Sequence, residues 1–343
     1  MSTFRDEIAE QPEVAGRLLR QFERAQAISR AIKAANPAGI LIAARGSSDN
    51  VAVYAKYVFQ LRNRLPVALA APSLFTHYAA PPRIDRYCVL GISQSGAAPD
   101  VRAVVEEGRR QGALTVAITN EADSPLAAAA DFVIALQAGP ERSVPASKTY
   151  TASLVAVAML SQAIDPYADF AAALNRIPQA LRDVEQHEAE LQTMARLING
   201  SRVIVLARGF NLATAEEIAL KLTETSYVLA RAWSAADFLH GPIAVMEPGF
   251  PVILVEAQGP TQPETREVCA SLARLQPAIF QIGDGTPPLS GATTSVLLNT
   301  GLPESLTPFP LAVAGQLLAL HLATSRGLDP DRPRTLTKVT KTR

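Results

Sequence analysis

The densest run of chemically capable side chains is Ala219-Leu220-Lys221-Leu222-Thr223-Glu224-Thr225-Ser226-Tyr227, followed by Asp237-Phe238-Leu239-His240-Gly241-Pro242. Lys221 and Glu224 are three positions apart, so on a helix they share a face, and Glu217, four before Lys221, can join them. A carboxylate, a lysine and a histidine together are what moving a proton beside a carbonyl requires. The same residues also read as a surface ion pair and a structural histidine in a Phe-Leu-His-Gly-Pro turn, and the residue types alone leave both readings open.

A second group of residues could hold an anion. Ser47-Ser48, Ser93-Gln94-Ser95-Gly96 and Ser143-Val144-Pro145-Ala146-Ser147-Lys148-Thr149 each lie between an apolar run and a helical pattern. Hydroxyls and backbone N–H groups at helix N-termini form anion sites, and Gly96 permits close approach of backbone to ligand. Serines that merely cap helices are the competing explanation. Three such loops on one sheet edge favour a phosphate site. A dinucleotide fold is disfavoured, because the turn after Val203 to Leu206 has the single glycine Gly209 and no G-x-G-x-x-G. No G-x-x-x-x-G-K-[ST] occurs either.

The elements that must position these groups alternate between strand and helix. Residues 1–36 read as helix interrupted near Pro12. Apolar runs at Gly39 to Ala44, Val67 to Ala70, Tyr87 to Ile92, Leu114 to Ile118 and Phe132 to Leu136 suit buried parallel strands. Helices are expected from about Asn50 to Leu61, from Pro99, and from Tyr150 to Ile164. Residues 165–199 read as charged helix with Glu185, Glu188 and Glu190 exposed. The pattern then recurs, with strands at Val203 to Leu206, Val252 to Val255, Ile279 to Ile282 and around Leu297 and Leu298, and a final helix from Pro308 to Ser325. Val203-Ile204-Val205-Leu206-Ala207-Arg208-Gly209 matches Ile40-Leu41-Ile42-Ala43-Ala44-Arg45-Gly46, which suggests duplication of one α/β unit. The expected division is a helical segment over 1–36, an α/β domain over 37–165, connecting helices over 166–199, a second α/β domain over 200–328 and a polar tail over 329–343. On its own, that tail reads as frayed.

Composition narrows the function. The 343 residues are 48% hydrophobic and 19% charged, which supports large folded cores. Lys plus Arg equals Asp plus Glu at 32 each, so a general nucleic-acid binder is disfavoured. Cys88 and Cys269 form neither a disulfide framework nor a zinc spacing, which suits a reducing cytoplasm. The N-terminus has no signal-peptide pattern, and no apolar run suits a membrane span.

Ile8-Ala9-Glu10-Gln11-Pro12, the Ser-Gln-Ser-Gly loop, the Ala-Leu-Lys-Leu-x-Glu helix and the His-Gly-Pro turn occur together and in order. In this the chain resembles the sugar isomerase (SIS) domain family, in particular the isomerase half of glutamine–fructose-6-phosphate amidotransferase and the stand-alone glucosamine-6-phosphate deaminases. The resemblance implies two tandem domains of a flavodoxin-like parallel sheet between helices, with Pro333-Arg334-Thr335-Leu336-Thr337-Lys338-Val339-Thr340 as a tail over the active site. It implies that Ser93, Gln94 and Ser95 cradle a sugar phosphate and that Ser48, Val144 and Ser147 line the sugar. Glu224 is implied as the base between C1 and C2, with Lys221 in electrostatic support. His240, from a neighbouring subunit, opens the ring, and Lys338 forms a Schiff base with the ketose. Ala98 and Asp49 depart from the family pattern, at a phosphate-ligand position and a sugar-selecting position respectively.

The implied reaction converts glucosamine 6-phosphate to fructose 6-phosphate and ammonia. It needs no cofactor and no metal, and a homodimer with a shared site is expected. Residue 2 is Ser rather than the Cys that opens a glutaminase domain, which favours deamination over amidotransfer. The alternatives are an isomerizing transaminase, a fructosamine-6-phosphate deglycase, an aldose–ketose phosphosugar isomerase, or a non-catalytic sugar-phosphate sensor.

Overall fold

The computed structural model describes residues 2–338. By density of contacts the chain resolves into two compact units. One contains the chain up to Pro12, Arg142–Ser147 and Arg176–Leu336, and the other contains Glu13–Glu141, Lys148–Asn175 and the chain from Thr337.

The first apolar run becomes β1 (Gly39–Ala43), buried along its whole length as expected for a strand covered on both faces. With β2 (Val67–Leu69), β3 (Tyr87–Ile92), β4 (Leu114–Thr119) and β5 (Phe132–Ala135) it forms a parallel sheet of order β2-β1-β3-β4-β5. The unit containing Arg176–Leu336 builds β6 (Arg202–Ala207), β7 (Leu229–Ser234), β8 (Pro251–Ala257), β9 (Ala278–Asp284) and β10 (Thr294–Leu298). Its order, β7-β6-β8-β9-β10, is the same arrangement strand for strand, again all parallel. This is the flavodoxin-like order, whose ligand crevice lies beyond the carboxyl ends of the strands where the order reverses. The matched glycines Gly46 and Gly209 both follow the first strand of their sheet with positive φ, 55° and 62°. The duplication visible in Ala-Arg-Gly therefore extends to topology and to backbone conformation.

Each sheet packs against a helix that is buried nearly all round. Lys148–Ile164 is buried from Lys148 through Ala163, and Pro308–Ser325 is buried over most of its length. Such a helix belongs inside a core. At Gly315, an added Cβ would lie 2.2 Å from Ile218 Cγ1 on helix Asn211–Ser226, so the missing side chain is what lets these two helices approach.

Several expectations are corrected. The N-terminal stretch forms three helices, Thr3–Ala9, Gln11–Leu19 and Phe22–Ala35. The first interruption falls at Glu10, close to Pro12 as expected, and Pro12 itself occupies the second position of the next helix, where a missing N–H costs little. The helix expected from Asn50 starts at Ser47, and the one expected from Tyr150 starts at Lys148. β7 has no counterpart in the sequence reading, because it is an edge strand with mixed burial and Leu229 is 71% exposed. Glu188 is not a free surface acid, since it accepts from Arg5 at 2.6 and 2.9 Å and lies 3.1 Å from His321 Nε2. Among the described residues, no helix is long and apolar enough to cross a membrane.

Candidate active site

In the unit of the first sheet, β3 ends at Ile92 and the chain turns through Ser93-Gln94-Ser95-Gly96 before helix Pro99–Arg110. The turn is tied to its neighbours. Ser93 N–H donates to Ile118 at 3.0 Å, Asn120 N–H donates to the Gln94 carbonyl at 3.0 Å, and Leu126 N–H donates to the Gly96 carbonyl at 3.1 Å. Gly96 has φ +59°, and a Cβ there would lie 2.0 Å from Ser124 Oγ, so only glycine fits. Ser93 is buried, and Gln94 and Ser95 are half-buried.

The capping explanation for these serines does not hold at either helix. Helix Pro99–Arg110 begins after Ala98 and helix Ser47–Asn63 after Gly46, and neither has a side-chain cap. The first-turn N–H groups are engaged locally: Val101 donates to Asp100 Oδ1 at 2.8 Å, Arg102 to the Ala98 carbonyl at 3.1 Å, and Ser48, Asp49 and Asn50 to the Arg45 and Gly46 carbonyls, so an anion at this edge would rely on the serine and glutamine side chains.

Two further residues, not visible as a pair from their spacing, brace this edge. Arg45, just past β1, donates from Nε to Asp100 Oδ2 at 2.7 Å, and Asp100 is buried in the first turn of helix Pro99–Arg110. Burial raises the carboxyl of Asp49 while the nearby Arg45 charge opposes that shift. On the same unit, Glu141 has a fully buried side chain. It accepts from Thr149 N–H at 3.0 Å, from Thr149 Oγ1 at 2.8 Å and from Lys338 Nζ at 2.6 Å.

In the other unit, helix Asn211–Ser226 carries the acid–base candidates. Lys221 Nζ lies 2.5 Å from Glu224 Oε2 and 3.5 Å from Glu217 Oε1. This is not a surface pair, because Lys221 and Glu217 side chains are each 1% exposed and Glu224 is 23% exposed. A buried ammonium thus fixes one edge of a carboxylate that remains partly open. His240 is exposed in the turn after the short helix Ala235–Phe238, with its N–H donating to the Asp237 carbonyl at 3.0 Å. Val144 is half-buried and Ser147 buried on the 142–147 segment of this unit. Ser143 in the same loop is structural, since its N–H and hydroxyl donate to the buried carboxylate of Glu7. Trp233 packs against the cluster around Ile204 and Phe238 and lies 5.1 Å from the Arg231 guanidinium, so its role is packing.

The tail is not frayed over its described length. Asp331 accepts from Ser2 Oγ, Thr3 N–H and Phe4 N–H at 2.6–2.9 Å. Arg334 N–H donates to the Tyr227 hydroxyl at 2.9 Å, with its guanidinium 4.2 Å from that ring. Val339 and Thr340 of the tail motif lie outside the described residues. The predicted site residues thus fall in two sets: Ser48, Ser93, Gln94, Ser95 and Lys338 in one unit, and Val144, Ser147, Lys221, Glu224 and His240 in the other. The two cysteines are buried, and burial pushes each thiol up to about 12. Among the described residues, no three His, Cys, Asp or Glu cluster as metal ligands.

Comparison with known proteins places these observations. The SIS domain model matches residues 35–163 and 196–325. A glutamine–fructose-6-phosphate aminotransferase (isomerizing) from Bradyrhizobium diazoefficiens is 32% identical over 351 residues, covering 97% of this chain and 57% of the relative. One from Thermococcus kodakarensis is 31% identical, covering 89% of this chain and 52% of the relative. The chain therefore spans about half the length of the curated relatives it matches. Among solved structures, a protein assigned as a phosphosugar isomerase from Silicibacter pomeroyi superposes with a TM-score of 0.89 at 34% identity, over 96% of this chain and 100% of that one. The glucosamine-6-phosphate deaminase of Thermotoga maritima shares the fold, with a TM-score of 0.77 at 19% identity, over 99% of this chain and 100% of that one.

Proposed function

From the premise that the chain belongs to the SIS domain family, we propose that it converts glucosamine 6-phosphate to fructose 6-phosphate and ammonia. The observation that carries this reading is the Lys221–Glu224 arrangement, in which a partly open carboxylate is held at 2.5 Å by a buried ammonium. A general base must keep its orientation while one face meets substrate, and this pair supplies both conditions.

The proposed sequence begins with the phosphate at Ser93, Gln94 and Ser95, ahead of the N-terminus of helix Pro99–Arg110. The helix dipole favours that anion by about 0.3–1 kcal/mol, and the larger benefit is holding C1 and C2 in place. Ser48, Val144 and Ser147 line the sugar. His240 opens the ring, acting on a neighbouring protomer's substrate in a homodimer, a role its exposure permits. Glu224 takes the proton from C2 and returns it to C1, which converts the amino aldehyde to a ketimine. Water adds to that imine, directly or after exchange onto Lys338, and ammonia leaves. Lys338 Nζ donates to Glu141, so it becomes a nucleophile only after giving up a proton.

The names of the relatives favour one second reading, the isomerizing half of an aminotransferase, in which the same proton transfer runs toward the amino sugar. An ammonia-release assay over glucosamine 6-phosphate, other phosphorylated amino sugars and fructosamine 6-phosphates tests the proposal. Release from glucosamine 6-phosphate is the expected result. Release of an amino acid from a fructosamine 6-phosphate would replace the proposal with a deglycase, and tight fructose 6-phosphate binding without turnover would replace it with a sensor.

A further inference from the structure

Glu141 has no role in the reaction as described so far, yet its carboxylate is among the most constrained on the chain. It sits with a fully buried side chain after β5 and closes a loop onto Thr149, at the start of helix Lys148–Ile164. Thr149 N–H holds Oε1 at 3.0 Å and the Thr149 hydroxyl holds Oε2 at 2.8 Å. These two bonds fix the plane and direction of the carboxylate before the tail arrives. The tail lysine then meets Oε2 at 2.6 Å, a charge-assisted hydrogen bond across 197 residues of sequence. Lys338 keeps 22% of its side chain exposed, so the ammonium is held from behind and remains reachable from outside. A buried carboxylate oriented by Thr149, with a part-exposed lysine on Oε2, is a seat for that lysine.

We infer that Glu141 is the positioning residue for Lys338 and the acceptor of its proton. This rests on the proposed deaminase reading and specifies how its tail lysine becomes reactive. The Lys338 ammonium passes one proton to Glu141 Oε2, which leaves a neutral amine and a neutral carboxylic acid. The amine lone pair forms a bond to C2 of the open-chain keto sugar as the C=O π bond breaks. Glu141 gives that proton to the carbonyl oxygen, takes a second from the nitrogen and passes it to the same oxygen, so the oxygen leaves as water and the nitrogen remains as a protonated imine with one hydrogen. Charge and atoms balance with no further reactant. The fixed carboxylate plane keeps the amine on one trajectory, which is the benefit of preorganised support.

The test uses the full-length protein and two readouts. In the first, lysines are acetylated with acetic anhydride at a fixed pH, and their rates are followed by mass spectrometry, with the exposed Lys33 as the internal reference. Lys338 is expected to react roughly fivefold or more slowly than Lys33 in the unaltered protein, because an amine held as an ion pair is a poor nucleophile. Glu141→Gln is expected to bring the two rates within about twofold of each other. In the second, sodium borohydride traps fructose 6-phosphate on Lys338. Glu141→Gln is expected to slow trapping by about 10²-fold or more, as loss of a proton acceptor does, with fructose 6-phosphate affinity changed less than about threefold.

Equal labelling of Lys338 and Lys33 in the unaltered protein overturns the inference, and this comparison holds even if Glu141→Gln fails to fold. Normal trapping by a folded Glu141→Gln protein also overturns it and leaves the Schiff-base step standing. Absence of any trapping in the unaltered protein overturns the lysine step of the proposed reaction, and Glu141's proton-accepting role falls with it.

Discussion

Replacing Lys221 by methionine tests whether the acid–base cluster is a built site or an incidental pair. The ammonium lies 2.5 Å from Glu224 and 3.5 Å from Glu217, and the Lys221 and Glu217 side chains are each 1% exposed. At an effective dielectric of about 20, charges at such separations interact by about 5–7 kcal/mol, before the cost of desolvation is set against it. Methionine preserves most of the volume and removes the charge. Glu224 can turn toward water, because it is 23% exposed, but the Glu217 carboxylate loses its neighbouring cation where water cannot reach it. Removing one partner from a buried ion pair costs about 3–5 kcal/mol. At about 2–4 °C per kcal/mol for a unit of this size, the midpoint should fall by roughly 6–20 °C. Scanning calorimetry gives the midpoint, and a double-mutant cycle with Glu217→Gln isolates the pairwise contribution. The double variant should recover part of the loss, since it removes the stranded charge. A Lys221→Met midpoint within about 2 °C of the unaltered protein would refute the buried-cluster account.

Other outcomes follow from local geometry. Gly96→Ala forces a Cβ to 2.0 Å from Ser124 Oγ at φ +59°, so it should cost about 1–2 kcal/mol from backbone conformation alone and weaken fructose 6-phosphate binding by calorimetric titration. Binding and stability both unchanged would show that the loop is not rigid. Gly315→Ala gains about 1 kcal/mol of helix propensity but places a Cβ 2.2 Å from Ile218, and overpacking of about 1–3 kcal/mol should win. A raised midpoint would contradict that packing. Burial raises the Glu188 and Asp331 carboxyls, but Arg5 and His321 at Glu188, and Ser2, Phe4 and Thr3 at Asp331, outweigh it and leave both lowered. Their stabilisation is therefore present above the ordinary carboxylate values of 4.5 and 3.8 and is lost as pH falls through the lowered folded values. Denaturant unfolding measured against pH should show this acid limb, and Glu188→Gln with Asp331→Asn should flatten it. An unchanged limb would place the acid sensitivity elsewhere.

How much was legible depended on how local the physics was. β3 and helix Pro308–Ser325 occupy the residues expected, because a continuous apolar run or an all-apolar helix signals itself. The parallel pairing within both sheets follows from strand–helix alternation, and the repeated Ala-Arg-Gly signals that the unit recurs. β7 was illegible because an edge strand with exposed Leu229 lacks an apolar run. The early start of helix Ser47–Asn63 was hidden because its N-terminus has no side-chain cap to announce it. Lys221 and Glu224 could be seen to share a face, but spacing does not report burial, so a surface pair remained open. Glu141 could not be found at all, since its partner is 197 positions away and only tertiary structure joins them. Asp100, which holds Arg45 from a neighbouring strand end, was hidden for the same reason.

In the proposed reaction Glu224 moves a proton on a bound amino-sugar phosphate. The most direct measurement is ammonia release from glucosamine 6-phosphate by the unaltered protein and by Glu224→Gln, alongside fructose 6-phosphate binding to each. Turnover should fall roughly 10²–10⁴-fold with affinity nearly unchanged, the loss typical of a missing general base. Release by Glu224→Gln at close to the unaltered rate would contradict it.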